Sequence, residues 1–235
     1  MAFIWDVIAS AYSNDLNVTT LALSKPPFIG EGDLLFTFLW SGDEGSQVVT
    51  TLAGWTLIES APDNSSANTQ INAYYKVAGD SEPDEYNWVQ SVSRRFAGMA
   101  AHLLGADADD LIDDSTFGTD SGFDSNIVCP SVTATDDDAM LVTMSGTNTE
   151  NSVTPPGGLL ELFDTQADFV STSGFGGAMG YETLTASGAT GTRTWTRDSG
   201  NGRDEVIAFI LNAEVGAGMT IEIDMEARQI RRIVI

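Results

Sequence analysis

Positive charge is the scarcest property of this chain. Two lysines, Lys25 and Lys76, and eight arginines oppose thirty-four aspartates and glutamates, a formal charge of −24 in 235 residues. At ordinary ionic strength such self-repulsion opposes a compact state. In molar salt the Debye length falls to about 3 Å and the repulsion is screened. The composition therefore predicts a protein built for a salt-saturated environment. The same charge repels phosphate backbones, and no basic patch interleaved with aromatics is present, so nucleic acid is not expected as a partner.

The other absences narrow the chemistry. A single cysteine, Cys129, excludes an intramolecular disulfide, and its setting in Ile127-Val128-Cys129 marks it as a small core residue. The single histidine, His102, excludes a His-pair metal site and leaves a catalytic triad open only in principle. Nucleophile elbows of the G-x-S-x-G kind, phosphate loops and H-E-x-x-H are missing. Carboxylate pairs carry no signal, because among thirty-four acids some pair always lies at a suitable separation. No enzyme is expected, and His102 is expected at a core or interface position. No apolar run approaches the roughly 18 residues of a membrane span. The N-terminus has no basic flank of the signal-peptide kind, so a soluble protein outside the Sec route is the expectation.

Helical periodicity is nearly absent as well. What is there instead is a succession of short runs rich in Val, Ile, Thr, Phe, Tyr and Trp, separated by Gly, Pro, Asn, Asp and Ser. The clearest are Asp33 to Trp40, Gly54 to Ser60, Thr69 to Ala78, Arg95 to Gly105, Ala139 to Ser145, Gly158 to Asp164, Gly177 to Thr185 and Asp204 to Asn212. The chain reads as all-β, a sandwich or barrel.

It also repeats itself. Leu34-Leu35-Phe36-Thr37-Phe38 corresponds to Met140-Leu141-Val142-Thr143-Met144, and Tyr75 to Tyr181, both 106 residues apart. Trp88 corresponds to Trp195, and Ala101-His102-Leu103-Leu104 to Ala208-Phe209-Ile210-Leu211, both at 107, which sets His102 against Phe209. Halves of approximately 8–106 and 127–213, joined by an acidic loop over 107–126, are expected to interleave into one jelly-roll-like antiparallel sandwich of two four-stranded sheets. Residues 214–235 form a C-terminal tail.

Residues Gly32-Asp33-Leu34-Leu35-Phe36, Gly54-Trp55-Thr56-Leu57-Ile58, Tyr74-Tyr75-Lys76-Val77-Ala78, Glu82-Pro83 and Tyr86-Asn87-Trp88 resemble a β-sandwich structural module of tailed viruses. Leu104-Gly105-Ala106-Asp107, Leu111-Ile112-Asp113, Pro130-Ser131-Val132-Thr133 and Thr154-Pro155-Pro156-Gly157-Gly158 continue the resemblance, which covers residues 8 to 213. With the acidity, it implies a virus of halophilic archaea. The implied role is a virion protein, a capsid decoration or turret or a tail appendage, assembled in the host cytoplasm and carried on the extracellular particle. The implied partners are other copies of the chain and other virion proteins. The rival from another class is a carbohydrate-binding module contacting host surface glycans. Trp55, Trp88 and Trp195, however, fall in strands where burial is the commoner fate.

Two kinds of candidate site remain. Asp107, Asp109, Asp110, Asp113 and Asp114 put five carboxylates in eight residues. That is a candidate Ca²⁺ or Mg²⁺ site, although a solvated acidic loop accounts for it equally and no EF-hand pattern fits. No other cofactor is expected. Asp136-Asp137-Asp138 reads as a turn. The second kind is an interface. Leu34 to Trp40 and Val206 to Leu211 are apolar on both alternating faces, so their outward residues, Leu35, Phe36, Leu39 and Trp40, are expected to meet a neighbouring subunit unless the chain covers them itself. In the tail, Ile221, Ile223 and Met225 alternate with acids, and Arg228, Arg231, Arg232, Ile233 and Ile235 combine cations with β-branched aliphatics. That pattern suits docking on an acidic neighbour.

Overall fold

The computed structural model describes residues 3–12, 17–42, 48–62, 69–147, 152–164, 176–198, 200, 202–214, 219–224 and 229–234, with side chains left aside for 6–12, 120–123 and 219–234. The first half supplies β1 (Ile4–Tyr12), β2 (Val18–Ser24), β3 (Leu34–Gly42), β4 (Val49–Thr50), β5 (Thr56–Ala61), β6 (Thr69–Val77), β7 (Glu85–Arg94) and β8 (Phe96–Leu104). They make a five-stranded sheet in the order β1-β8-β3-β6-β5 and a three-stranded sheet β2-β7-β4, antiparallel throughout. The second half supplies β9 (Ile112–Asp124), β10 (Asn126–Cys129), β11 (Thr133–Ala134), β12 (Met140–Thr147), β13 (Val153–Thr154), β14 (Leu160–Asp164), β15 (Gly176–Thr183), β16 (Gly188–Ala189), β17 (Arg193–Arg197) and β18 (Gly202–Leu211). Its sheets run β14-β15-β12-β18-β9 and β10-β17-β13, with a small ribbon β11-β16. Two last strands, β19 (Met219–Asp224) and β20 (Gln229–Val234), pair with each other and, among the described residues, with no other strand.

Replacing β1 to β8 by β9, β10, β12, β13, β14, β15, β17 and β18 converts one set of sheets into the other. Each half is therefore a complete eight-stranded jelly roll. The correspondence reaches single residues. The edge ladder slips at Leu57/Glu59 in β5 and at Glu161/Phe163 in β14. The preceding turns use Gly54 (φ 81) and Gly158 (φ 101) in the left-handed region, and close with Trp55 N–H to the Leu52 carbonyl and Leu159 N–H to the Pro156 carbonyl.

Three expectations are corrected here. The halves do not interleave, since no hydrogen-bonded sheet mixes strands of both. Their five-stranded sheets stack face to face instead. The acidic segment is no loop over its full length, because Ile112–Asp124 is a strand of thirteen residues on the edge of the second large sheet. Finally, the register of the last strands differs from the sequence match. Thr37 lies beside Ala100 and Thr143 beside Ala208, so β8 and β18 correspond at 108 residues and His102 stands over Ile210, not Phe209. One residue of slip exchanges the two faces of a strand.

The stacked sheets enclose the main core, with Phe36, Phe38, Trp40, Met99 and Leu103 from one half against Met140, Met144, Met179, Phe209 and Leu211 from the other. Each outer sheet closes a second core. Leu35 and Leu39 pack with Leu21, Leu23, Trp55 and Trp88, and Ile127, Cys129, Trp195 and Val206 do the equivalent in the second half. Every residue of β3 is buried within the chain. One face of β3, with Leu35 and Leu39, is covered by the outer sheet and the other, with Phe36 and Trp40, by the opposite half, which corrects the assignment of these four residues to an intermolecular interface. A charge at Leu35 or Leu39 is expected to unfold the chain, not to release monomers.

Across the central seam the two halves differ where they touch. Trp40 and Ile71 of the first occupy the repeat positions of Gly146 and Gly177 of the second. The Trp40 indole lies over these glycines and donates Nε1–H to the Ser145 carbonyl at 2.7 Å. A Cβ on Gly177 would stand 2.0 Å from Trp40 Nε1 and 2.5 Å from the Ser145 carbonyl oxygen. Gly177→Ala is expected to lower stability by about 3 kcal/mol or more, as overpacking at a rigid contact does. Equilibrium denaturant unfolding at constant salt measures it, and a loss below about 1 kcal/mol would show that the seam is loosely packed.

Candidate functional site

His102 lies on the outer face of β8, almost fully buried, with Nε2 3.6 Å from Asp33 Oδ2. Asp33 also accepts the Gly30 amide at 2.7 Å, holding the turn ahead of β3. The 3.6 Å separation is an ion pair when the imidazole is protonated and too long for a hydrogen bond. Beside the pair, a small pocket lined by Gly32, Asp33, Leu103, Gly105, Ala106 and Glu214 marks where the two halves meet. There Ala106 bridges Ala213, the Asp107 amide donates to the Asn212 carbonyl, and the Glu214 amide donates to the Gly105 carbonyl. The arrangement fastens chain segments together.

The five aspartates of the candidate metal site are not gathered. Asp107 Oδ1 accepts the amides of Asp109 and Asp110 at 2.9 and 3.3 Å, a local turn. Asp113 instead accepts the Thr135 amide at 2.6 Å and its hydroxyl at 2.9 Å, and Asp114 accepts the Thr133 amide at 2.8 Å. These two carboxylates tie β9 to β11. Among the described residues no three His, Cys, Asp or Glu side chains stand together as a ligand set. Asp136 to Asp138 form the expected turn, with Asp138 at φ 62 and Asp137 Oδ1 accepting the Ser187 amide at 2.6 Å.

Polar groups that sequence reasoning passed over occupy matched places in the two halves. In the first, Gln90 on β7 donates to the Val18 carbonyl at 2.7 Å and accepts from the Ser41 hydroxyl. In the second, Arg197 on β17 donates to the Asp124 carbonyl at 2.7 Å and to Thr147 Oγ1 at 3.3 Å, and pairs with Asp204. Each is a clamp between an outer sheet and its large sheet, neutral in one half and ionic in the other. The legible signal was the spacing, since Gln90 and Arg197 each follow a repeat tryptophan, Trp88 or Trp195, by two residues.

A second matched place is Lys76 and Tyr86 against Glu182 and Arg193. Lys76 Nζ lies 5.9 Å from the Tyr86 ring centroid, and Glu82 joins both, 2.8 Å from Nζ and 2.8 Å from the phenol oxygen. Arg193 pairs directly with Glu182. Burial pushes the Glu82 carboxyl up, but Lys76, the Gly79 amide and the Tyr86 hydroxyl outweigh it and hold the group below its ordinary value. Burial, then Glu82 itself, pushes the Tyr86 phenol up. A depressed carboxylate stabilises the fold above its unfolded pKa and loses that contribution as pH falls through the folded one. Glu82→Gln is therefore expected to be less stable than the parent above pH 4.5, the ordinary value, with the gap closing at lower pH. Paired unfolding curves from pH 7 to 3 check this, and a gap independent of pH would exclude the ionic role.

Four of the five tryptophans are buried, and Trp5 is partly buried. Trp40, Trp88 and Trp195 have no exposed surface, Trp55 is 6% exposed, and Trp5 packs on Phe36 and Tyr181.

What remains is the edges and the tail. Every edge strand of the two large sheets carries a ladder irregularity: β1 between Asp6 and Ala9, β5 at Leu57/Glu59, β14 at Glu161/Phe163, and β9 at two places. The inner ladders of β3 and β12 have none. Bulged edges resist pairing with another chain. By contrast β19 and β20 run in unbroken register from Met219↔Val234 to Asp224↔Gln229, with Glu222 opposite Arg231, and among the described residues neither joins another sheet. Of the tail residues singled out by sequence, Arg231, Arg232 and Ile233 lie in β20, while Arg228 and Ile235 lie outside the described residues.

Comparison of the chain with family models, with curated proteins and with solved structures found no match.

Proposed function

We propose that this chain is a non-enzymatic structural subunit of a virus particle adapted to high salt, a decoration, turret or tail-appendage protein that assembles with copies of itself and with other virion proteins. The observation that carries the reading is the contrast between body and tail. The double jelly roll buries its doubly apolar strands and bulges its large-sheet edges, while a regular two-stranded hairpin has no sheet partner among the described residues. A two-stranded ribbon is marginal alone and gains stability from a third strand. Jelly rolls also serve in capsids and lectins, which is support by analogy of fold only. Burial of Trp40, Trp55, Trp88 and Trp195 removes the aromatic surface that the glycan-binding reading would draw on.

The test is location. Gold-labelled antibody against a tagged chain, applied to particles purified from a halophilic host, is expected to mark regular positions. Label confined to the cell lysate would overturn the proposal. Removal of Arg228 to Ile235 is expected to leave the body folded and abolish joining to particles. Normal incorporation of the truncated chain would remove the tail from assembly.

A further inference from the structure

We infer that the hairpin assembles by strand exchange between unlike edges, the β20 edge of one copy adding to the β19 edge of the next, so that copies close into a ring through a shared sheet. The inference rests on the assembly reading above and specifies its chemistry. Among the described residues the hairpin has a regular ladder of six pairs and no sheet partner on either outer edge, which is the requirement for strand addition, whereas the other two-stranded ribbon, β11-β16, has only two pairs.

Charge selects the partner and the pairing. The segment from Met219 onward carries Glu222, Asp224 and Glu226 against Arg228, Arg231 and Arg232, a balance of three and three in a chain of net −24. Two copies can therefore approach through their tails with less repulsion than through their bodies. Within the hairpin the signs are segregated, with Glu222 and Asp224 on β19 and Arg231 and Arg232 on β20. Pairing β19 with β19 sets acids against acids, and pairing β20 with β20 sets arginines against arginines; like charges opposite each other destabilise a ladder. Pairing β20 with the β19 of another copy in the register seen within the hairpin sets each Glu222 opposite an Arg231. Such a contact is head-to-tail, and it yields a closed ring when the rotation between copies closes.

The experiment uses the full chain at the lowest salt that keeps the body folded, so that screening stays small. Mass is read by light scattering. All five tryptophans precede the tail, so their emission reports the body independently. One variant is Arg231→Glu with Arg232→Glu, and the other is Glu222→Arg with Asp224→Arg. Each alone makes both strands of its tail like-charged and is expected to be a folded monomer. An equimolar mixture restores opposite charges only between chains, and is expected to recover the mass of the parent assembly with both variants present in it. Recovery can come only from contacts between chains, because mixing cannot repair contacts within one hairpin, and a mixture that stays monomeric overturns interchain pairing. Variants that assemble unmixed overturn the hairpin inference and leave the assembly reading standing. A parent chain that is monomeric at every concentration overturns the assembly reading itself.

Discussion

Raising sodium chloride from about 0.1 M to several molar is expected to raise the melting temperature by on the order of 10 °C. Composition already points this way, but the fold sharpens it. The few cations do not dilute the surface charge evenly: Arg197 is fully buried against Asp204, Arg193 is held by Glu182, and Lys76 is held by Glu82. Asp109, Asp110 and Asp136 to Asp138 stand exposed, so the outer shell is more one-signed than the totals suggest. Screening removes repulsion that the compact state carries and the expanded chain largely escapes. Chloride is the right anion, because sulfate would strengthen apolar burial by a separate route. Thermal melts followed by tryptophan emission across the salt series measure the effect. A melting temperature unchanged over that range would end the high-salt reading.

Arg197→Gln is expected to cost about 3–5 kcal/mol, because it removes the cation that the buried Asp204 carboxylate is paired with. Neither side chain of the pair has exposed surface. The double variant Arg197→Gln with Asp204→Asn is expected to recover more than half of that loss, since the remaining groups are neutral and can share hydrogen bonds. The first half supplies the precedent: Gln90 holds the matching position, bonded to Ser41 and to the Val18 carbonyl, with Phe96 where Asp204 would fall. Denaturant unfolding of the parent, both single variants and the double variant gives the coupling energy directly. Single variants that lose less than about 1 kcal/mol, or a double variant no better than Arg197→Gln, would show that water or another group already satisfies Asp204.

Much of the body was legible from residues alone. All eight of the clearest apolar runs are strands, from β3 to β18, because each alternates or stays apolar over a length that only a sheet accommodates. The duplication was legible for the same reason, through Tyr75 and Tyr181, Trp88 and Trp195. The edge strand β9 was not. Ile112–Asp124 reads Ile-Asp-Asp-Ser-Thr-Phe-Gly-Thr-Asp-Ser-Gly-Phe-Asp, a turn-like composition that an edge strand tolerates because one side faces water. Nor were the clamps at Gln90 and Arg197, since a lone polar residue in an alternating strand looks the same whether it faces solvent or a buried partner.

By itself the sequence determined the all-β class, the twofold repeat, the burial of Cys129 and the tryptophans of the outer sheets, and the excess of negative charge, because each of these is a local or compositional property. Only the tertiary structure decided that the halves stack as two whole jelly rolls instead of interleaving, that β2, β7, β10 and β17 cover the second faces of β3, β12 and their neighbours, and that His102 stands over Ile210. Those outcomes depend on which strands share hydrogen bonds and which layers meet, a choice made between residues a hundred positions apart, where a shift of one residue exchanges core for surface.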